Sequence, residues 1–399
     1  MRRITVAERR ARLALRHCLA PAARVATPEE VTAALVAIHS SDPATVFLSA
    51  WARMHDPSVG AVERALYVDR TLIRFHGMRR TLWVIPVDLV GALFAASTHG
   101  LALQERRRVL GLLEDASIAD DPARWVAEVE ESTVRMLHAL GEASTIEIGR
   151  LEPRLTEKVT LAAGKRYETQ TSMATRIVLL LSMEGRIVRG RPLGTWIASQ
   201  YRWVLVDAVL HDGIPHVRAH TGRAEIVRRW LLSFGPGSLA DLRWWTGWPA
   251  GVVRQALTDA GAVEVEAEMD VDAEGAAAFL LPDDLELPPL VEPWAALLPG
   301  LDATTMGWWD RAWYLGPHGA RLFDGHGIGN AGPTVWVDGR VVGGWGQRPD
   351  GEIVLGILED VGADATALIE AAAARMQAVL GTTRVTPRFR TPLERDLSA

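Results

Sequence analysis

The sequence predicts an α+β protein made of three tandem winged helices followed by a small C-terminal β-barrel. Two patterns predict it. Short helices followed by a two-stranded hairpin, arginine-bearing in the first two copies, occur three times before about residue 290, and beyond that point short strands alternate with Gly, Asn and Asp turns. The length of 399 residues agrees, since one domain usually takes roughly 100–200 residues. The expected divisions are 1–110, 111–215 and 216–288 for the three winged helices, and 289–399 for the barrel with a closing helix.

The first copy opens with a helix near 6–18. In "TPEEVTAALVAI", Thr27 is an N-cap, Pro28 fits the first helical position and Glu30 completes a capping box. A third helix restarts at Pro43 and a fourth spans about 59–68. "TLIRFHGMRRTLWVI" then alternates as strand, turn and strand, with Gly77 to Arg80 at the turn. In the second copy, from about 121 to 206, "DPARWVAEVEESTVRMLHAL" and "TSMATRIVLLLSMEG" have helical spacing, the latter ending at Gly185. The hairpin "GRIVRGRPLGTWIASQYRWVLV" follows. The third copy runs from about 221 to 285: "AEIVRRWLLSFG", "SLADLRWWTG" capped by Ser238, "PAGVVRQALTDAG", and the strands "AVEVEAEMDV" and "AAAFLLP". Past 290, "VDGRV" and "PDGEI" carry the Asp-Gly hairpin signal. A last helix, "DATALIEAAAARMQAVLG", and the tail "TTRVTPRFRTPLERDL" close the chain.

Net charge is −6, yet the charges are segregated. Residues 1–24 hold seven arginines against Glu8 alone, whereas residues 259–292 hold Asp and Glu with no Lys or Arg. Segregation of this kind suits a face that meets an anion. Lys158 and Lys165 are the only lysines, and Cys18 is the only cysteine, which excludes an internal disulfide and any multi-thiolate metal site. Cys18 reads as a small buried residue. No apolar run reaches the roughly 20 residues of a membrane span, and "MRRITVAERR" lacks a secretory pattern, so the expectation is a cytoplasmic, monomeric protein with no membrane partner and no cofactor.

In "VAIHSSDPATVFLSAWARM", residues 36–54, an apolar run breaks at His39-Ser40-Ser41-Asp42-Pro43 and restarts at once. Pro43 disfavours the α region at Asp42, which accounts for the break. Read as structure alone, these residues end one helix and cap the next.

Several long stretches resemble the AlkZ-like DNA glycosylases, the azinomycin-resistance family related to YcaQ. They are "LVAIHSSDPATVFLSAWAR", "GRPLGTWIASQYRW", "FGPGSLADLRWWTG", "LLPGLDATTMGWWDRAWYLGPH" and "GNAGPTVWVDGRVVGGWGQRPDGEI", in that order along nearly the whole chain. The resemblance implies tandem winged helices with a C-terminal barrel, and hydrolysis of the N-glycosidic bond of N7-alkylated purines in double-stranded DNA, with self-resistance to a genotoxic natural product as a setting. The family's Gln-apolar-Gln motif, Gln-apolar-Asp in the YcaQ branch, stands where this chain has His39-Ser40-Ser41. By position, His39 and Ser41 take the catalytic places.

An N7-alkylated purine is cationic and leaves without protonation. What remains is to stabilise a sugar resembling an oxocarbenium ion and to place a water at the anomeric carbon. Histidine, with an ordinary pKa of about 6.5, can also take that water's proton; Ser41 can complete the water's shell. Asp42 either orients His39 or caps the helix at Pro43. Strand cleavage needs an amine nucleophile, and Lys158 and Lys165 lie away from the motif, so a monofunctional enzyme is expected. DNA contacts are expected from Arg79 and Arg80 at the first hairpin turn and from Arg189, Arg191 and Arg202 around the second, with Ser199 and Gln200 in the same channel. Trp244 and Trp245 read as core. His211, His216 and His220 lack the carboxylate cluster of a zinc site, and "GHGIGNAG" reads as hairpin turns rather than a nucleotide loop. The alternative function is a catalytically idle DNA-binding or lesion-recognition protein that lost its glutamines.

Overall fold

A computed structural model describes residues 1–162, 164–166, 168–270, 274–324 and 329–399. The chain forms two compact units, one of Met1–Leu72, Trp83–Pro86 and Arg223–Ala399, the other of Ile73–Leu82 and Val87–Gly222. The chain leaves the first unit and returns to it within the first hairpin.

Helices and strands mix throughout. In the first unit, the helix Val6–Arg16 is capped by Thr5, whose hydroxyl accepts from the Glu8 N–H. Glu8, Arg9 and Arg12 on this helix are buried. Arg12 pairs with Glu8 at 2.8 Å and Asp284 at 2.7 Å, while the Arg9 guanidinium lies 4.2 Å from the Trp313 ring centre and donates to the Glu268 carbonyl. Burial brings the Arg9 pKa down to about 10. These N-terminal arginines therefore hold the unit together from inside, and the acidic stretch that contains Asp284 meets them there. Cys18 is buried, as read.

The capping box at Thr27 forms as its letters dictate. The Thr27 hydroxyl accepts from the Glu30 N–H at 3.2 Å, and the Glu30 carboxylate accepts from the Thr27 N–H at 2.9 Å, opening the helix Pro28–Ala34. The short strand Ile38–His39 pairs antiparallel with the strand Leu82–Pro86, placing His39 opposite Trp83. The helix Pro43–Trp51 follows at once, with Val59–Tyr67 after it.

Later in the first unit, the helices Leu239–Thr246 and Ala250–Asp259 precede an antiparallel pair of strands, Val263–Glu268 and Gly275–Leu280. Ser238 and Asp241 form a capping box at the first of these helices. Among the elements the sequence reading missed are the helix His99–Asp115 and the strand Arg3–Ile4, which pairs in parallel on the free edge of Val263–Glu268.

Beyond residue 290 the strands Ala295–Leu298, Thr334–Val337, Arg340–Gln347 and Ile353–Ile357 form an antiparallel sheet in chain order. Asp338 and Gly339 both have positive φ, 45° and 81°, as a two-residue hairpin turn requires. The sheet is open: no closed barrel forms among the described residues. The helix Gly362–Leu380 packs on its first strand and, to a lesser extent, on the second. Part of "GHGIGNAG", residues 325–328, and residues 271–273 lie outside the described residues.

The second unit packs the helices His99–Asp115, Pro122–Leu140, Thr145–Leu151 and Met173–Met183 around a core that includes Val109, Leu113, Val126, Ile177 and Leu181. Its antiparallel sheet runs Glu142–Ser144, Tyr201–Leu205, Ile187–Pro192. Among the described residues no helix is long and apolar enough to cross a membrane.

Candidate active site

His39 ends a strand and is half-buried. Its ring sits 4.8 Å from that of Trp83, its ladder partner, at 57°. Trp83 in turn leans on Trp245 at 5.9 Å, and Trp245 on Phe234 at 6.4 Å. An aromatic wall thus supports one side of the imidazole.

Asp42 is a cap. One carboxylate oxygen accepts from the Ala44 N–H at 3.1 Å and the other from the Arg388 N–H at 2.9 Å. Burial pushes its pKa above the ordinary carboxylate value, and those two N–H groups pull the other way. Of the two roles the sequence left open for Asp42, capping is the one seen, with a backbone donor on each oxygen. Ser41 is half-buried, and its carbonyl accepts from the Arg388 guanidinium at 3.1 Å. The C-terminal tail therefore fixes the His39–Asp42 stretch from 346 residues away.

Below it, a buried polar network anchors the helix Pro43–Trp51. Arg53 and Asp302, both fully buried, form a two-pronged pair at 2.7 and 2.9 Å; Ser49 donates to the same carboxylate at 2.6 Å. Burial pushes the Asp302 carboxyl up, but Arg53, Ser49 and the Thr304 N–H more than offset this, leaving its pKa below the ordinary value. Arg53 also donates to Thr304 and to the His17 carbonyl. Burial brings the His17 pKa down to about 3, so the ring is neutral at pH 7.

The expected DNA contacts fall in the second unit. Arg79 and Arg80 occupy the hairpin tip with φ of 57° and 62°, both left-handed, a conformation that costs an L-residue roughly 1–2 kcal/mol. Arg79 is exposed. Arg80 is half-buried and paired with Glu105, a buried carboxylate that also binds Arg108 and Arg176. Burial lowers the Arg80 pKa. Arg189, Ser199 and Gln200 line one cleft of about 660 Å³. Arg191 is exposed on the strand Ile187–Pro192. Arg202, on the strand between Tyr201 and Trp203, pairs instead with Glu142 at 3.3 Å and Glu147 at 3.5 Å.

The family model described as DNA glycosylase AlkZ-like matches residues 32–379. The chain belongs to this AlkZ-like family. The solved structure of the Streptomyces sahachiroi DNA glycosylase AlkZ is similar with a TM-score of 0.72, over 97% of this chain and 100% of that one, at 20% sequence identity. At that identity the likeness is one of fold. A comparison with curated proteins finds no match.

For this AlkZ-like chain, the sequence reading singled out His39 and Ser41 but missed the residues that hold them. Trp83 stood in the hairpin as an ordinary strand residue, and Arg388 in the tail as one of several arginines. Asp302 carried one signal, as one of two carboxylates, with Asp310, inside "LLPGLDATTMGWWDRAWYLGPH". Of the two tryptophans read as core, Trp245 is buried, while Trp244 is half-buried under the Arg311 guanidinium at 5.0 Å.

Proposed function

We propose that the chain is a monofunctional DNA glycosylase that hydrolyses the N-glycosidic bond of N7-alkylated, bulky or crosslinked purines in duplex DNA, in a self-resistance setting. Membership of the AlkZ-like family over residues 32–379, a span that contains His39-Ser40-Ser41, carries this reading. His39 takes a proton from a water as the water oxygen bonds to the anomeric carbon; the carbon–N9 bond breaks, and its electron pair neutralises the departing cationic base. Ser41 holds the same water. Arg79, Arg80, Arg189, Arg191, Arg202, Ser199 and Gln200 are the proposed DNA contacts, on winged helices spanning 1–110 and 111–215; a third winged helix spans 216–288, and the open sheet with its helix makes up 289–399. The protein acts as a monomer, in the cytoplasm, without a cofactor.

A second reading, a DNA-binding protein without catalysis, is favoured by one observation: His39 and Ser41 stand where the family carries glutamines. Incubation with duplex DNA containing N7-methylguanine separates the two. Free base is expected from the native chain, with a loss of about 10²–10⁴ in rate for His39→Ala and unchanged duplex affinity. Tight binding with no base released would leave only the second reading. Borohydride should trap no covalent complex, since the mechanism forms no Schiff base.

A further inference from the structure

The cleft in the second unit shares Arg189, Ser199 and Gln200 with the proposed DNA contacts but contains neither His39 nor Ser41. At about 660 Å³ it has the volume of pockets that enclose drug-sized ligands. Leu155, Val178 and Leu193 give it apolar walls, and among the described residues its charged lining consists of Arg150 and Arg189, with no carboxylate. The cleft is therefore positive and apolar together.

Two details show a built anion site. The Arg189 guanidinium lies 5.0 Å from the Tyr201 ring centre and 5.5 Å from that of Trp203, and stacking on two rings fixes the direction of its N–H groups. Tyr201, in the same wall, is 6% exposed, yet its hydroxyl is buried without a hydrogen-bond partner among the described residues. Buried hydroxyls are nearly always paired, so one without a partner, on a ring that the Arg189 guanidinium stacks on, is what a missing acceptor would leave.

We propose that this cleft binds a small organic anion with a flat apolar body. The Tyr201 hydroxyl and Arg189 donate to a carboxylate, sulfonate or phosphate oxygen, and the body lies among Leu155, Val178 and Leu193. The inference holds whether or not the chain excises bases. The same chemistry is offered by a free aromatic acid and by a single nucleotide.

The test is a fluorescence titration of the full chain with anilinonaphthalenesulfonate. Saturable binding of one probe per chain is expected. Arg189→Met should weaken it at least tenfold and Tyr201→Phe severalfold, while phenylnaphthylamine, which lacks the sulfonate, should bind native and Arg189→Met chains alike. Thr175→Trp, at an exposed helical position on the cleft rim, should abolish binding with an unchanged circular dichroism spectrum. Displacement of the probe by deoxyguanosine monophosphate assigns the site to a nucleotide; displacement by naphthalenesulfonate alone assigns it to a free aromatic anion. No saturable binding, or equal binding by the Thr175→Trp chain, overturns the proposal.

Discussion

The His39 imidazole and the Trp83 indole face each other across a two-residue ladder, ring centres 4.8 Å apart. The indole is nearly buried, so it sets where the half-buried imidazole can point. Replacing it with an aliphatic residue leaves the ladder intact and frees the ring. For Trp83→Leu, single-turnover base release should slow by about tenfold, the scale on which misplaced catalytic groups act, while duplex affinity stays put. An unchanged rate would show that the ladder alone positions His39.

Arg388 clamps the same stretch from the tail through its side chain and its backbone. Arg388→Met keeps the backbone bond to Asp42 and removes the bond to the Ser41 carbonyl. Stability should fall by only about 0.5–1.5 kcal/mol in urea denaturation, with base release falling further than that loss of folded chain explains.

Breaking the pair beneath the site should be far more costly. Arg53 and Asp302 are both fully buried, so Asp302→Ala leaves a guanidinium without its counter-charge and should cost about 3–5 kcal/mol. A loss under about 1 kcal/mol in chemical denaturation would mean that water reaches the network.

The hairpin tip carries strain that glycine relieves. Arg79→Gly at φ 57° should gain about 0.5–1 kcal/mol net, since the relief of the left-handed penalty exceeds glycine's extra unfolded-state entropy. The same change should weaken DNA binding uniformly across sequences and make the salt dependence shallower by about one phosphate contact. Equal affinity and slope would exclude Arg79 from the interface.

Stability should decline with acid through His17. Its folded pKa is about 3 against an ordinary value near 6.5, so above pH 6.5 neither state binds the proton and the full contribution is present. Between pH 6.5 and 3 the unfolded chain binds a proton that the folded chain excludes, and stability falls. His17→Gln, which can still hydrogen-bond with Thr304 and the Ser233 carbonyl, should flatten this slope by a few kcal/mol over that range. His76, lowered to about 3 chiefly by burial, acts in the same direction in the second unit.

Much of the local structure was legible because its causes are local. Thr27 and Glu30 close a capping box within four residues, Asp338-Gly339 adopts the doubly positive φ that an Asp-Gly hairpin turn favours, and Asp42 caps the helix begun by Pro43. The Arg80–Glu105 pair was out of reach, because nothing in an arginine's neighbours says which carboxylate it will meet 25 residues on.

By itself the sequence determined the order of helices and hairpins, their caps and turns, and the polar break that presents His39 and Ser41, all set by side chains acting on their own backbone. The tertiary structure decided the rest. It left the last four strands as an open sheet under a helix, added Arg3–Ile4 to a distant edge, and placed Trp83, Arg388 and the Arg53–Asp302 pair around the site. Those choices depend on which surfaces exclude water together, a property of chain segments up to 346 residues apart that no local pattern records.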